Sequence, residues 1–128
     1  MSAMSNYLEN ELLDHVLRNA AYTSPSTVYI GLSTGSFGDD NSGTEISGNG
    51  YARQSIAFDA ASGGTTDNTS NVDFPAATGS QGTISHYGIF DASSSGNLLI
   101  HGAFSASKAV TTGDILRIAA GELDITAA

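Results

Sequence analysis

The amino-acid sequence predicts a mainly β fold: an antiparallel β-sandwich of about seven to eight short strands with one N-terminal α-helix. Three observations carry this. Of the 128 residues, 62 are Ala, Ser, Thr or Gly and only 13% are charged, a composition that suits a lean structural chain better than a helical enzyme. Val, Ile, Leu and Phe supply 27 residues, enough for a single core, and the length supports one such core. Beyond Pro25 the apolar positions recur with period two and are interrupted by Gly- and Ser-rich turns, the pattern of a sandwich. The chain divides into residues 1–22, a helical arm for docking or oligomerisation, and residues 23–128, the β-sandwich.

The helix comes first. From Tyr7 to Asn19 the residues Leu8, Leu12, Leu13, Val16 and Leu17 recur at helical spacing and leave Glu9, Glu11, Asp14 and Arg18 opposite. Asn6 with Glu9 three residues later reads as a capping box, and Ser24-Pro25 sets a stop by about Tyr22. This apolar stripe is too broad for a lone surface helix, so it needs something to lie on. Val28, Ile30 and Leu32 then alternate as a half-buried strand. The polar segment 34–50 has almost no anchor besides Phe37 and Ile46 and reads as an exposed loop. Tyr51 to Phe58 is the next strand, and a second polar loop, 60–71, leads to a short Val72–Phe74 strand ended by Pro75.

The strongest strand signals flank the polar turn DASSSG, in Thr83–Phe90 and Asn97–Ser105, and predict a hairpin. A register centred on that turn places His86 near His101 and Ile89 near Leu98. Tyr87, Ile89, Leu98 and Ile100 then share one face, and Ile84, Phe90, Leu99 and Ala103 the other. Both faces are apolar and both need cover, one of them from the helix or a neighbouring subunit. Ile115–Ile118 and Leu123–Thr126 close the sequence as short strands.

Composition removes several function classes. Zero cysteines exclude disulfides, thiolate metal sites and a Cys nucleophile. Thirteen acidic against four basic residues give a net charge of −9, which opposes binding to nucleic acid and to anionic lipid. No stretch approaches the run of about 18 apolar residues that a membrane span needs. The acidic start MSAMSNYLENELL is unlike a secretory leader. A triad drawn from the many serines with His86 and Asp91 lacks any nucleophile elbow, so no enzymatic activity is expected. His86 and His101 offer two metal ligands at most, and Asp39, Asp40, Asn41 and Glu45 do not match a calcium loop, so no metal or organic cofactor is expected. Asn68-Thr69-Ser70 has the form of a glycosylation sequon but reads as loop. The candidate functional residues are therefore those of an interface: Leu8, Leu12, Leu13, Val16 and Leu17 on the helix, with Arg53, His86, His101 and Arg117 as docking or intersubunit groups. The acids Asp39, Asp40 and Glu45 are expected to point to solvent.

Several ordered segments, NYLENELLDHVLRNAAYTSPSTVYIGL, GTEISGNGYARQ, TISHYGIFDA, GNLLIHGAFSASK and TGDILRIAAGELDIT, together resemble small virion structural proteins of tailed bacteriophages, of the capsid decoration (cement) or tail-fibre-like kind. The resemblance implies a virion protein made in the host cytoplasm. With no fibrous repeat or coiled coil in the chain, it favours a capsid decoration protein that binds the outer capsid surface and stabilises the head. Its expected partners are the major capsid protein and further copies of itself, as a homo-oligomer and most simply a trimer. A tail-fibre or tail-tip component involved in host attachment is the alternative.

Overall fold

The computed structural model describes residues 2–127. Its elements, in chain order, are β1 (Ser2–Met4), α1 (Asn6–Leu17), β2 (Val28–Ser33), β3 (Gln54–Ile56), β4 (Thr65–Asp67), β5 (Val72–Asp73), β6 (Gly82–Phe90), β7 (Leu98–Val110), β8 (Arg117–Ile118) and β9 (Asp124–Thr126). Five strands form one antiparallel sheet in the order β1-β7-β6-β2-β3. Two antiparallel ribbons, β4–β9 and β5–β8, contribute to the same hydrophobic core.

Alternation in β2 sends Ile30 and Leu32 to that core, and both are fully buried. They sit opposite Ile89 and Tyr87 of β6, and the ribbons add Val72, Ile118 and Ile125. Burying each such aliphatic side chain contributes about 1.5–3 kcal/mol, so this layer is the main source of stability. Tyr87, 2% exposed, packs its ring against Phe104 at 5.2 Å. Burial, and less so the charge of Asp124, pushes its phenol up to about 12. Stability contributed by the neutral phenol is complete below the unfolded value of about 10 and falls as pH rises through 12, by roughly 1 kcal/mol per pH unit. Urea unfolding at pH 9 to 12 is expected to show this decline, and Tyr87→Phe to remove its share. A wild-type profile flat over that range would contradict it.

The hairpin register differs from the sequence expectation. His86 faces Ala103 and Ile89 faces Ile100, each displaced by two residues, so the two histidines are diagonal neighbours on one face rather than a direct pair. A two-residue displacement keeps the faces, but irregularities between Ile84 and His86 and between Ile89 and Phe90 then exchange individual side chains. Ile84 joins the main core, and Leu98 joins Phe90 on the opposite side.

That opposite side is covered from within the chain. The segment 34–50 folds back over the sheet and buries Phe37, 1% exposed, edge-on to Phe90 at 5.5 Å. Gly31 and Gly88, opposite each other on β2 and β6, leave room for this layer. A Cβ on Gly88 would lie 2.9 Å from Leu98 and 3.0 Å from Phe90. The loop is anchored by Ile46 N–H to Leu32 O (2.9 Å), by Ser33 Oγ–H to Thr44 O (2.6 Å) and by Asn6 N–H to Asp39 O (2.8 Å). The expectation of a weakly anchored loop is therefore corrected, and so is the need for a helix or neighbouring subunit to cover this part of the sheet.

The N-terminal arm is also more integrated than expected. Its β1 pairs with β7, Ser2 opposite Gly102, and Ser2 Oγ accepts a hydrogen bond from Thr126 N–H at 2.9 Å. The helix cap is Ser5 rather than Asn6: its hydroxyl accepts from Leu8 N–H (3.2 Å) and donates to Leu98 O, while its own N–H donates to Leu99 O (2.8 Å). The helix ends at Leu17, earlier than Pro25 alone would require, because Asn19 takes the left-handed conformation (φ 55°) that Asn tolerates.

Candidate docking surface

No residue of α1 is fully buried. Its apolar positions fall into two groups. Leu8 and Leu12 are half-buried, and Leu8 helps line an apolar recess of about 190 Å³ with Phe58, Leu99 and Ile125. Leu13, Val16 and Leu17, one turn apart on the helix surface, are 57%, 72% and 75% exposed. A single exposed aliphatic residue is ordinary, whereas three adjacent ones on one helix form a patch that water does not favour. The helix is held at its first turn, through Ser5, and its last two turns present this patch outward.

The remaining candidates divide differently. Arg53 is an internal brace: its side chain is 8% exposed and grips the Glu45 carboxylate with two groups, Nε at 2.9 Å and Nη2 at 2.8 Å. Its Nη1 donates to Ala92 O (2.9 Å) and Ser95 O (2.8 Å), and the guanidinium lies 3.6 Å over the Phe90 ring. One side chain thus joins the loop 34–50, the β6–β7 turn and the outer aromatic layer. Tyr51 extends the network by donating to Glu45 and accepting from Leu32 N–H (3.0 Å), and burial first and the carboxylate next push its phenol up. Arg117 is at the surface, paired with Asp73 at 2.6 Å, and holds that carboxyl below its ordinary range.

His101 Nε2 is 2.7 Å from Asp39 Oδ1 and His86 Nδ1 is 2.7 Å from Ser85 Oγ. Asp39 and Glu45 are thus engaged with His101 and Arg53 rather than directed only to solvent, while Asp40 accepts from Ser42 N–H and its carboxyl is lowered by bonds to Ser42. Asp91, the third member of the imagined triad, accepts from Asn97 N–H (2.7 Å) and Nδ2 (3.0 Å) in the hairpin turn, so the three groups do not converge. Among the described residues no group of three or more His, Asp or Glu is placed to hold a metal ion.

Asn68 is the residue whose role composition did not reveal. Only 1% exposed, it donates to Ser70 O and Ala119 O (both 2.9 Å) and accepts from Leu123 N–H (2.9 Å). Its sequon is part of the core frame. One of two Asn in a polar loop is a weak signal, and its Leu123 partner lies 55 residues away.

No curated protein matches the chain. A family model described as "Podophage GP4 fiber I protein gp80" matches residues 3–126, which include both the sandwich and the exposed helix. The chain therefore belongs to the podophage GP4 fiber I protein gp80 family, small virion structural proteins of tailed phages.

Proposed function

We propose that the protein is a fibre component of the phage virion, acting by binding rather than catalysis, and that α1 is its docking element. The observation that carries this is the Leu13, Val16 and Leu17 patch, displayed by a helix with no buried residue on a sandwich that covers its other apolar face itself. An amphipathic helix that seats in a partner groove uses such i, i+3, i+4 anchors. The family description favours the fibre over the capsid cap preferred from sequence. A capsid-surface location remains the second reading, favoured by the short sandwich with no fibrous repeat.

Removing residues 1–20 is a poor test, because β1 and Ser5 support the sheet. Val16→Asp with Leu17→Asp changes only exposed positions. This variant is expected to keep the wild-type urea midpoint and to be depleted at least about tenfold from purified virions, a loss of about 1.4 kcal/mol or more in docking. Normal incorporation would remove α1 as the anchor. Labelling the incorporated protein in intact particles separates fibre from head.

A further inference from the structure

We propose that the outer edge of β7 beyond Gly102 is a strand-addition site for an extended segment rich in lysine or arginine, supplied by another protein. The site is separate from α1 and does not rest on its docking role. β7 runs from Leu98 to Val110, yet β1 covers its outer side only at residues 100–102. No other strand of the described residues pairs with that side, so residues 103–109, roughly 20 Å of extended chain, are open edge. In the β6–β7 ladder, Ile84 faces Lys108 and His86 faces Ala103, so Ser85 alone opposes the four residues 104–107. The ladder to β6 is interrupted there, and further backbone groups of β7 lack a strand partner. Exposed edges are ordinarily shielded by proline, by charged side chains or by a covering loop. Here residues 103–107 are Ala, Phe, Ser, Ala and Ser, and all but Phe104 are exposed. Lys108, the one charged side chain in the stretch, is tied to Ile115 O, to which its Nζ donates at 3.1 Å. The opposite edge of the sheet is different: β3 has only the three residues Gln54–Ile56, and just beyond it Ala57 O already accepts from Thr69 N–H at 2.9 Å.

Charge decides the occupant. Two recesses of about 250 and 340 Å³ run along the edge, between it and the segment 116–124. The first brings together Phe104, Leu123, Glu122 and Asp124 and, among the described residues, no basic side chain. Neither carboxylate has a cation within 4 Å among the described residues. Asp124 also faces Asp67 across the β4–β9 ribbon, where a hydrogen bond with Asp59, burial, and the charges of Asp59 and Asp124 push the Asp67 carboxyl up. This end of the edge is short of positive charge. A lysine or arginine there lays its aliphatic stem along Phe104 and brings its charge to Glu122 and Asp124. The second recess holds Lys108 and Arg117 beside Glu122, so the cations of the segment belong at the Asp124 end. A second copy of the chain is opposed by a net charge of −9 on each molecule and by these two carboxylates at the contact. Strand addition draws its affinity from main-chain hydrogen bonds and its specificity from alternate side chains, and this edge supplies both.

The test titrates the full-length protein with a fluorescent peptide of alternating Thr and Lys, at about 0.15 M salt to screen diffuse attraction. The peptide is expected to bind and to slow hydrogen exchange at the amides of residues 103–109. A Thr–Glu peptide, and the Thr–Lys peptide with every backbone amide N-methylated, are expected to bind at least about tenfold more weakly. The methylated form keeps the charge and loses the donors, so it separates strand pairing from attraction to an acidic protein. Glu122→Gln/Asp124→Asn and Ala106→Pro, which removes a backbone N–H from the open stretch, are expected to weaken the Thr–Lys peptide similarly. Urea midpoints equal to wild type show that these variants are folded; if Ala106→Pro is not, the methylated peptide and the exchange pattern on the wild type decide. Val16→Asp/Leu17→Asp is expected to bind the peptide as wild type does, which keeps this site apart from α1. No binding of the Thr–Lys peptide, equal binding of its methylated form, or protection confined to residues outside 103–109 would overturn the proposal and leave the docking role of α1 untouched.

Discussion

Arg53→Ala is expected to lower the unfolding free energy by about 3–5 kcal/mol, the range for removing one partner of a buried ion pair. The guanidinium is enclosed by the Glu45 carboxylate, the carbonyls of Ala92 and Ser95 and the Phe90 ring, so its loss leaves two carbonyls and one aromatic face without a partner and the carboxylate with only the Tyr51 hydroxyl. Glu45 is only 23% exposed, and water restores its solvation incompletely. Arg53→Lys should restore little, because a single ammonium cannot grip both carboxylate oxygens and lie flat on the ring. Adding Glu45→Gln to Arg53→Ala should recover part of the loss by removing the orphaned charge. Urea denaturation of the four proteins checks this. A cost below about 1 kcal/mol, that of an exposed pair, would show that the loop and turn are held by other contacts.

Asn68→Ala is expected to cost about 2–3 kcal/mol, since it leaves the buried Leu123 N–H without an acceptor, takes the donor from Ser70 O and leaves Ala119 O with Glu122 N–H alone. Asn68→Asp tests the mechanism more sharply. A carboxylate keeps the acceptor for Leu123 but turns both donors into acceptors, aimed at two carbonyls, and adds a buried charge. It should be at least as destabilising as Ala at neutral pH and should recover partly on acidification, when the protonated acid can donate once. Comparable stability of Asn68→Asp and wild type at pH 7 would contradict the hydrogen-bond assignment. The same bonds keep the amide of Asn68 inside the folded molecule, out of reach of modification.

Local signals carried much of this architecture. The spacing of Leu8, Leu12 and Val16 gave the helix, and period-two runs gave β2, β6 and β7. Exact pairing depended on irregularities with no composition of their own: the residues inserted beside Ser85 and the break at Phe90. The layer over Phe90 was hidden because its parts, Phe37, Glu45, Arg53 and Ala92, come from separate loops and strands. Two signs of it were present. A single aromatic in a Gly/Ser-rich loop needs a place to bury its ring, and glycines within strands, here Gly31 and Gly88, mark a close approach. A scarce cation in an acidic chain suggests a docking group, whereas the partner of Arg53 lies eight residues away in the same chain. The helix was legible because its 3.6-residue pattern is local.

The cap of α1 has a consequence for the order of events in the cell. Ser5 is fixed to Leu98, 93 positions later in the chain, and Ser2 to Thr126, 124 positions later. During synthesis at about 5–20 residues per second, the base of the helix therefore waits roughly 5–20 s for its support to emerge. A 12-residue helix without tertiary support is marginal in water, so an unfinished chain holds these residues only loosely. The helix is thus completed last although it is made first. On the docking role proposed for α1, truncated or stalled chains lack the rigid helix with which to enter a particle.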